Sequence, residues 1–224
     1  MNLDEAKKWD DGCCTCDIRN GFIIPEIAAM LNRQQVTSIV DLGAGTGYIA
    51  RQIYSLLEHP HTWLLIDKSE ARCQVAKAKV GSNADISIRC ADIFETDSVG
   101  GPETIYIFCN TALEMKLTGD RLDHLAGLAR RSLGMLVSIP DTLSDVLKDT
   151  QVEDGFAKFK EGTVELSKTD DFTGDFYPFH AHRPIEIVFQ FLQRGLCLSA
   201  IRRTDQDDGQ YLFLFSASDL ADGR

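Results

Sequence analysis

The stretch SIVDLGAGTGYIARQIY, Ser38 to Tyr54, sets three glycines within five positions between a β-branched apolar run and an amphipathic segment. Glycine adopts left-handed backbone without steric cost, so Gly43, Gly45 and Gly47 read as a sharp turn from a strand into a helix. A strand that feeds a helix directly is the first half of a βαβ unit, and its next strand returns parallel to it. That one feature commits the chain to an α/β fold.

The rest of the chain repeats the unit. Thr37 to Leu42, Thr62 to Asp67, Asp85 to Cys90, Thr104 to Cys109 and Gly134 to Ile139 are short apolar runs that predict strands covered on both faces. Tyr48 to His59, Ser69 to Val80 and Asp120 to Leu133 carry helical spacing between them. After Pro140 the pattern changes: Asp141 to Asp175 is charged and predicts no strand, and FYPFHAHRP then gathers aromatics, histidines and prolines. Pro184 opens a helix that stops at Gly195. Leu196 to Thr204 and Gln210 to Ser218 flank DQDDG, an Asp-Gly turn signal, and predict an antiparallel pair. The expectation is a Rossmann-like seven-stranded sheet, mostly parallel with one antiparallel strand in a C-terminal hairpin, and helices on both faces. Residues 1–224 read as a single domain, with 1–32 as an N-terminal lid and 141–182 as a cap on the substrate side.

Composition narrows the partners. With 224 residues, 44% hydrophobic and 25% charged, the chain can bury a full core. No apolar run is long enough to span a bilayer and the N-terminus lacks the order of a signal peptide, so a cytoplasmic protein with no membrane partner is expected. A net charge of −11 opposes phosphate neutralisation, so no nucleic acid is expected either. Cys13 and Cys16 form a CxxC, with Cys14 between them, but without a second ligand pair no metal site is expected. Cys90 and Cys109 read as small buried hydrophobes, and His59, His61 and His124 as loop or solvated helix residues.

A loop of this kind invites a phosphate, but the P-loop fails because no Gly-Lys-Ser or Gly-Lys-Thr follows, and GxGxxG fails because the third glycine comes one residue early. VDLGAGTG instead resembles motif I of the class I S-adenosylmethionine (SAM) dependent methyltransferases. The resemblance implies that Asp41, Gly43, Ala44, Gly45 and Gly47 surround the amino-acid part and ribose of SAM. It implies that Asp67, followed by Lys68 in LLIDKSE, takes the ribose hydroxyls; a carboxylate with two acceptor oxygens suits a vicinal diol. In RCADIF, Asp92 is implied to accept from the adenine amino group and the Ile93 N–H to meet the adjacent ring nitrogen. Asn110, in FCNTALEM, falls where the family puts polar groups beside the methyl donor, and Arg19 is a candidate for the SAM carboxylate. The chain departs from the family in two places. Glu114 stands where many small-molecule methyltransferases have histidine. The Asp-Pro-Pro-Tyr or Asn-Pro-Pro-Tyr signature of nucleobase and glutamine methylation is absent.

The activity so implied is methyl transfer from SAM to a small-molecule acceptor, a hydroxyl first, by a monomer or homodimer. A SAM-binding lyase, cyclase or pericyclic catalyst, an N-, C- or protein methyltransferase, and a non-catalytic subunit are the alternatives. For a hydroxyl acceptor a general base adds rate, and His180 and His182 are the candidates, of which only one is expected to face the pocket. Phe172, Phe176, Tyr177 and Phe179 are candidates for an aromatic wall. Trp9, Arg19 and Phe22 are candidate contacts from the first segment, whereas Ile23, Ile24, Ile27, Ala28 and Leu31 read as core.

Overall fold

The computed structural model describes residues 1–34, 36–96, 99–111, 115–140, 158–160, 163–169, 176–182, 184–204 and 209–217, with backbone alone for the three segments between 158 and 182. Their order is α1 (Leu3–Cys13), a π-helical turn (Arg19–Ile23), α2 (Ile24–Gln34), β1 (Ser38–Leu42), α3 (Tyr48–Tyr54), β2 (Thr62–Asp67), α4 (Glu70–Val80), β3 (Ile86–Cys90), β4 (Thr104–Cys109), α5 (Gly119–Arg130) and β5 (Gly134–Pro140). There follow β6 (Lys158–Lys160), β7 (Thr163–Thr169), β8 (Phe176–His182), α6 (Pro184–Gln193), β9 (Leu196–Arg203) and β10 (Gln210–Ala217).

The main sheet has seven strands in the order β3-β2-β1-β4-β5-β10-β9. The first five run parallel, and β10 lies antiparallel to both β5 and β9, so one strand is reversed, as expected. Alternation along each strand feeds two cores. Val40, Leu42 and Phe108 face α5 and α6 with Leu125, Phe191 and Phe213, while Ile39, Leu65 and Ile107 face α2 and α3 with Ile27, Leu31 and Ile53. Strand order reverses between β1 and β4, which leaves a crevice at their carboxyl ends.

Several local expectations change. The helix α1 was not legible because its buried positions are Ala6, Asp10 and Cys13, spaced as one face but carrying a carboxylate where a hydrophobe would signal it. Its start is chemically explicit: the Asn2 side chain accepts from the Asp4 and Glu5 amides at 3.0 Å, and Glu5 Oε2 accepts from the Asn2 amide at 2.7 Å. Helix α3 ends at Tyr54 rather than His59. Asn32 of α2 captures the next turn instead, donating to the Leu56 carbonyl at 3.2 Å and accepting from the Glu58 amide at 3.0 Å. The edge strand β3 is largely exposed, so Cys90 is exposed rather than buried, while His61 is buried at the start of β2.

The charged segment after Pro140 does contain strands. β6, β7 and β8 form a three-stranded antiparallel sheet, in which Val164 pairs with Ala181 and Leu166 with Phe179. The TVELSKT run is too polar to stand out from sequence, although its partners are close in the chain, with Lys160 pairing with Thr163 and Thr169 with Phe176. His180 and His182 both fall in β8, opposite Glu165 and Thr163. Positions two apart in a strand share a face, so the expectation that only one of the two can face a pocket does not hold for β8. Phe172, Arg183 and residues 205–208 of the hairpin turn lie outside the described residues, although the Thr204 amide donates to the Gln210 carbonyl at 3.0 Å across that turn.

Candidate active site

A cavity of about 420 Å³ opens beyond the carboxyl ends of β1 and β4. Its floor is the glycine loop, and the loop's own hydrogen bonds say what it is built for. The Gly43 and Ala44 amides donate to the Ile66 carbonyl at 2.8 and 3.0 Å, the Gly47 amide donates to the Ala44 carbonyl at 2.9 Å, and the Gly45 amide donates to Asp67 Oδ2 at 2.9 Å. With these four of the five loop amides already used within the chain, the loop lacks the set of free donors that a phosphate cradle needs. The absent side chains make room for protein. A Cβ on Gly43 would stand 2.2 Å from Thr111 Cγ2, one on Gly45 would stand 3.3 Å from the Trp9 ring, and one on Gly47 would stand 2.9 Å from Leu65. All three glycines have positive φ, at 75°, 59° and 71°.

What faces the cavity from this floor is acidic. Asp41, the last inward residue of β1 before the loop, is 3% exposed. Its carboxyl is pushed up to about 7, first by burial and then by the neighbouring Asp67 charge. Asp67 ends β2, where Oδ2 holds the Gly45 amide and Oδ1 accepts from the Ser69 amide at 2.8 Å. Each oxygen keeps a second lone pair for a ligand. The Arg72 guanidinium stands 3.9 Å from Asp67 Oδ2. Asp92 follows β3, and its Oδ1 accepts from the Phe94 amide at 2.9 Å, which fixes the turn that brings Ile93 to the wall.

The first segment closes the cavity. Asp10 of α1, 2% exposed, takes the Thr46 hydroxyl, the Arg51 guanidinium at 2.8 Å and the Lys79 ammonium at 3.4 Å. This bond set fastens α1 across the loop and α4, and it lays Trp9 over Gly45. The guanidinium carbons of Arg19 and Arg72 lie 5.5 and 5.2 Å from the Trp9 ring centroid. Arg19 Nε is buried and has no hydrogen-bond partner among the described residues. Asn20 ties the next turn down by accepting from the Tyr48 hydroxyl at 2.9 Å and donating to the Cys14 carbonyl at 3.0 Å. Burial pushes the Cys13 and Cys109 thiols up to about 12, which keeps both protonated.

The structure therefore brings Arg19, Asp41, Gly43, Ala44, Gly45, Asp67, Lys68, Asp92, Ile93 and Asn110 to one cavity. Gly47 does not line it; it is the residue that caps the start of α3 and gives its space to Leu65. Glu114 lies outside the described residues, as do the side chains of His180 and His182. Sequence reasoning did not place Tyr48, Phe94, Met115, Lys116 or Arg121 at the cavity. Of these only Phe94 had a signal, its position beside Asp92 and Ile93. Among the described residues no cluster of His, Cys, Asp and Glu could hold a metal ion, and no helix is long and apolar enough to cross a membrane.

Residues 39–133 match a protein family described as a methyltransferase domain. No curated protein matches the sequence significantly. Among solved structures, the PH0226 protein from Pyrococcus horikoshii superposes with a TM-score of 0.68 at 13% identity, covering 93% of this chain and 99% of that one. An S-adenosylmethionine-dependent methyltransferase from Clostridium acetobutylicum gives 0.63 at 14% identity, over 94% of this chain and 91% of its own. Magnesium protoporphyrin IX methyltransferase from Synechocystis, solved with S-adenosylhomocysteine (SAH), gives 0.64 at 14% identity, over 90% and 84%. Identities this low establish shared fold only. The chain thus has the fold of the SAM-dependent methyltransferases on which it superposes, and the residues that match the methyltransferase-domain family, 39–133, run from β1 through α5 of that fold.

Proposed function

We propose that this protein binds SAM in the cavity over the glycine loop and transfers its methyl group to an oxygen of a small-molecule acceptor. The observation that carries the reading is the pairing of two facts about one loop: four of its five amides, those of Gly43, Ala44, Gly45 and Gly47, are consumed internally, and three carboxylates, Asp41, Asp67 and Asp92, face the space above it. That surface suits a ligand bearing an ammonium, a diol and an amino-purine rather than a polyanion.

The residues present fit SAM. Asp41 is a buried carboxylate whose ionisation a cation would restore, and Arg19 offers an unpartnered buried N–H for a carboxylate. Asp67 holds the ribose hydroxyls with its free lone pairs, and Asp92 with the Ile93 amide takes the adenine edge. When bound, SAM supplies an electrophilic methyl on a sulfonium, a good leaving group, so the chain has mainly to align acceptor and methyl and exclude water. Trp9 covers the loop from the solvent side, and the Asp10 bond set holds it there. His180 and His182 on β8 are the candidates to take the acceptor proton. Residues 1–32 act as lid and 141–182 as substrate-side cap within one domain. The neighbour named for magnesium protoporphyrin IX favours a small-molecule acceptor.

Titration calorimetry with SAM and SAH is the test. Micromolar binding that Asp67→Asn weakens supports the reading, and absence of binding by either ligand overturns it. Once an acceptor is found by screening hydroxylated and acidic metabolites, His180→Ala and His182→Ala should lower turnover more than SAM affinity. Turnover unchanged in both removes histidine from the mechanism. Consumption of SAM without release of SAH would favour a different SAM chemistry.

A further inference from the structure

The cavity wall at the end of β4 is held from behind by the C-terminal hairpin. Gln210 opens β10 and is 3% exposed. Its carbonyl and amide are both locked to Thr204, by the Thr204 amide at 3.0 Å and Thr204 Oγ1 at 3.1 Å. Its side chain reaches across the sheet. Gln210 Nε2 donates to Ser138 Oγ at 2.7 Å and to Asn110 Oδ1 at 3.2 Å.

The polarity of this chain is set at Gln210. Its NH₂ is the end that meets both Ser138 Oγ and Asn110, so Asn110 answers with its carbonyl oxygen. Asn110 is not free to turn away as a whole: its amide N–H donates to the Ser138 carbonyl at 2.9 Å, and its backbone sits at φ 56°, a left-handed conformation that asparagine tolerates. With Oδ1 committed, the Asn110 NH₂ is the end left for the cavity that Asn110 lines.

We propose that Gln210 is a positioning residue that fixes the Asn110 amide with its NH₂ toward the reacting centre, so that the acceptor held there presents a hydrogen-bond-accepting oxygen and not a protonated amine. The inference rests on the SAM reading above and narrows its acceptor class. A donor facing the methyl position attracts the lone pairs of a hydroxyl or carboxylate and repels an ammonium. Discrimination of this kind is strong because the wrong partner leaves a buried polar group unpaired.

The test uses two ligands that differ at that point. Sinefungin carries a protonated amine where SAM carries its methyl, and SAH carries nothing there. The readout is the ratio of sinefungin to SAH affinity, by calorimetry on the full chain at pH 7.5, with folding checked by thermal melting. In Gln210→Glu the new carboxyl oxygen accepts from Asn110, the amide turns, and Oδ1 faces the ammonium; the ratio should rise about tenfold, the scale of one hydrogen bond to a charge. Gln210→Met removes both donors at similar volume and should raise the ratio about threefold, which serves if the glutamate variant does not fold. Asn110→Asp should raise it at least as far as Gln210→Glu. A Gln210 that only supports the fold would weaken both ligands in parallel, and a ratio unchanged in the folded variants overturns the proposal. Failure of the intact protein to bind SAH at all is a different result: it overturns the SAM reading, and this inference with it.

Discussion

Asp67 Oδ2 accepts the Gly45 amide at 2.9 Å, so the carboxylate that ends β2 is built into the glycine loop that ends β1. Sequence motifs treat the two as separate ligand contacts. In the structure they are one object, because Gly45 needs an acceptor where its chain turns and Asp67 needs donors where it is buried.

Substituting Asp67 should therefore cost both binding and stability. Asp67→Ala strands the Gly45 and Ser69 amides, and we expect a loss of about 1–3 kcal/mol in urea unfolding together with at least tenfold weaker SAH binding. Asp67→Asn keeps one acceptor oxygen and should lose less stability than binding. Calorimetry and denaturation on the same preparations check this; an alanine variant of unchanged stability would show that the loop does not depend on the bond.

Asp41 should give SAM binding a pH dependence near neutrality. Its carboxyl is raised to about 7, so the native state holds a proton there between the ordinary carboxylate range and that value, and this group's contribution makes the fold less stable as pH rises through the window. A bound ammonium favours the ionised form and expels the proton. SAM affinity should rise between pH 6 and pH 8, with proton release detectable by calorimetry in buffers of different ionisation enthalpy. Asp41→Asn should bind SAM weakly with that rise flattened, and should gain stability relative to the parent at pH 8.

Asp10 is the fastening of the lid. Asp10→Ala leaves the Arg51 guanidinium and Thr46 hydroxyl without their shared acceptor, at a cost of about 2–4 kcal/mol on the scale of broken buried pairs. Hydrogen exchange should then speed up in α1 more than in β1 or β4. Equal protection in the variant and the parent would mean that Trp9 and Cys13 packing suffices to hold α1.

Gly43 should be intolerant of a methyl group for a specific reason. Gly43→Ala places a Cβ 2.2 Å from Thr111 Cγ2 at a φ of 75°, so a loss of at least about 2 kcal/mol is expected. In a Thr111→Ala background the part of that loss due to Cγ2 and Oγ1 should disappear, while the milder contact with the Thr111 Cβ at 3.0 Å and the backbone part, about 1 kcal/mol, should remain. Additive effects in the double-mutant cycle would refute the contact.

The sheet was legible because its strands are apolar on both faces and its turns are marked by glycine, so period and punctuation agree. The cofactor side was legible for a similar reason: Asp41, Asp67 and Asp92 each stand at the end of such a run, and a charged residue after an apolar strand is visible. The lid was not. Helix α1 buries Ala6, Asp10 and Cys13, and its central buried residue is held by an ion pair to a helix that comes later in the chain. The strands β6 and β7 were missed because their residues are mostly polar, so no apolar run marks them.

The sequence alone determined the α/β class, the strand order's switch point at the glycine loop, and the three acidic residues facing it. Hydrophobic period and backbone permissiveness are local properties of a chain. Tertiary structure decided that the glycines make room for Thr111, Trp9 and Leu65, that Asp67 locks the loop, and that Gln210 stands behind Asn110. Each of these joins residues distant in sequence, and buried polar groups find their partners only once the sheet has closed around them.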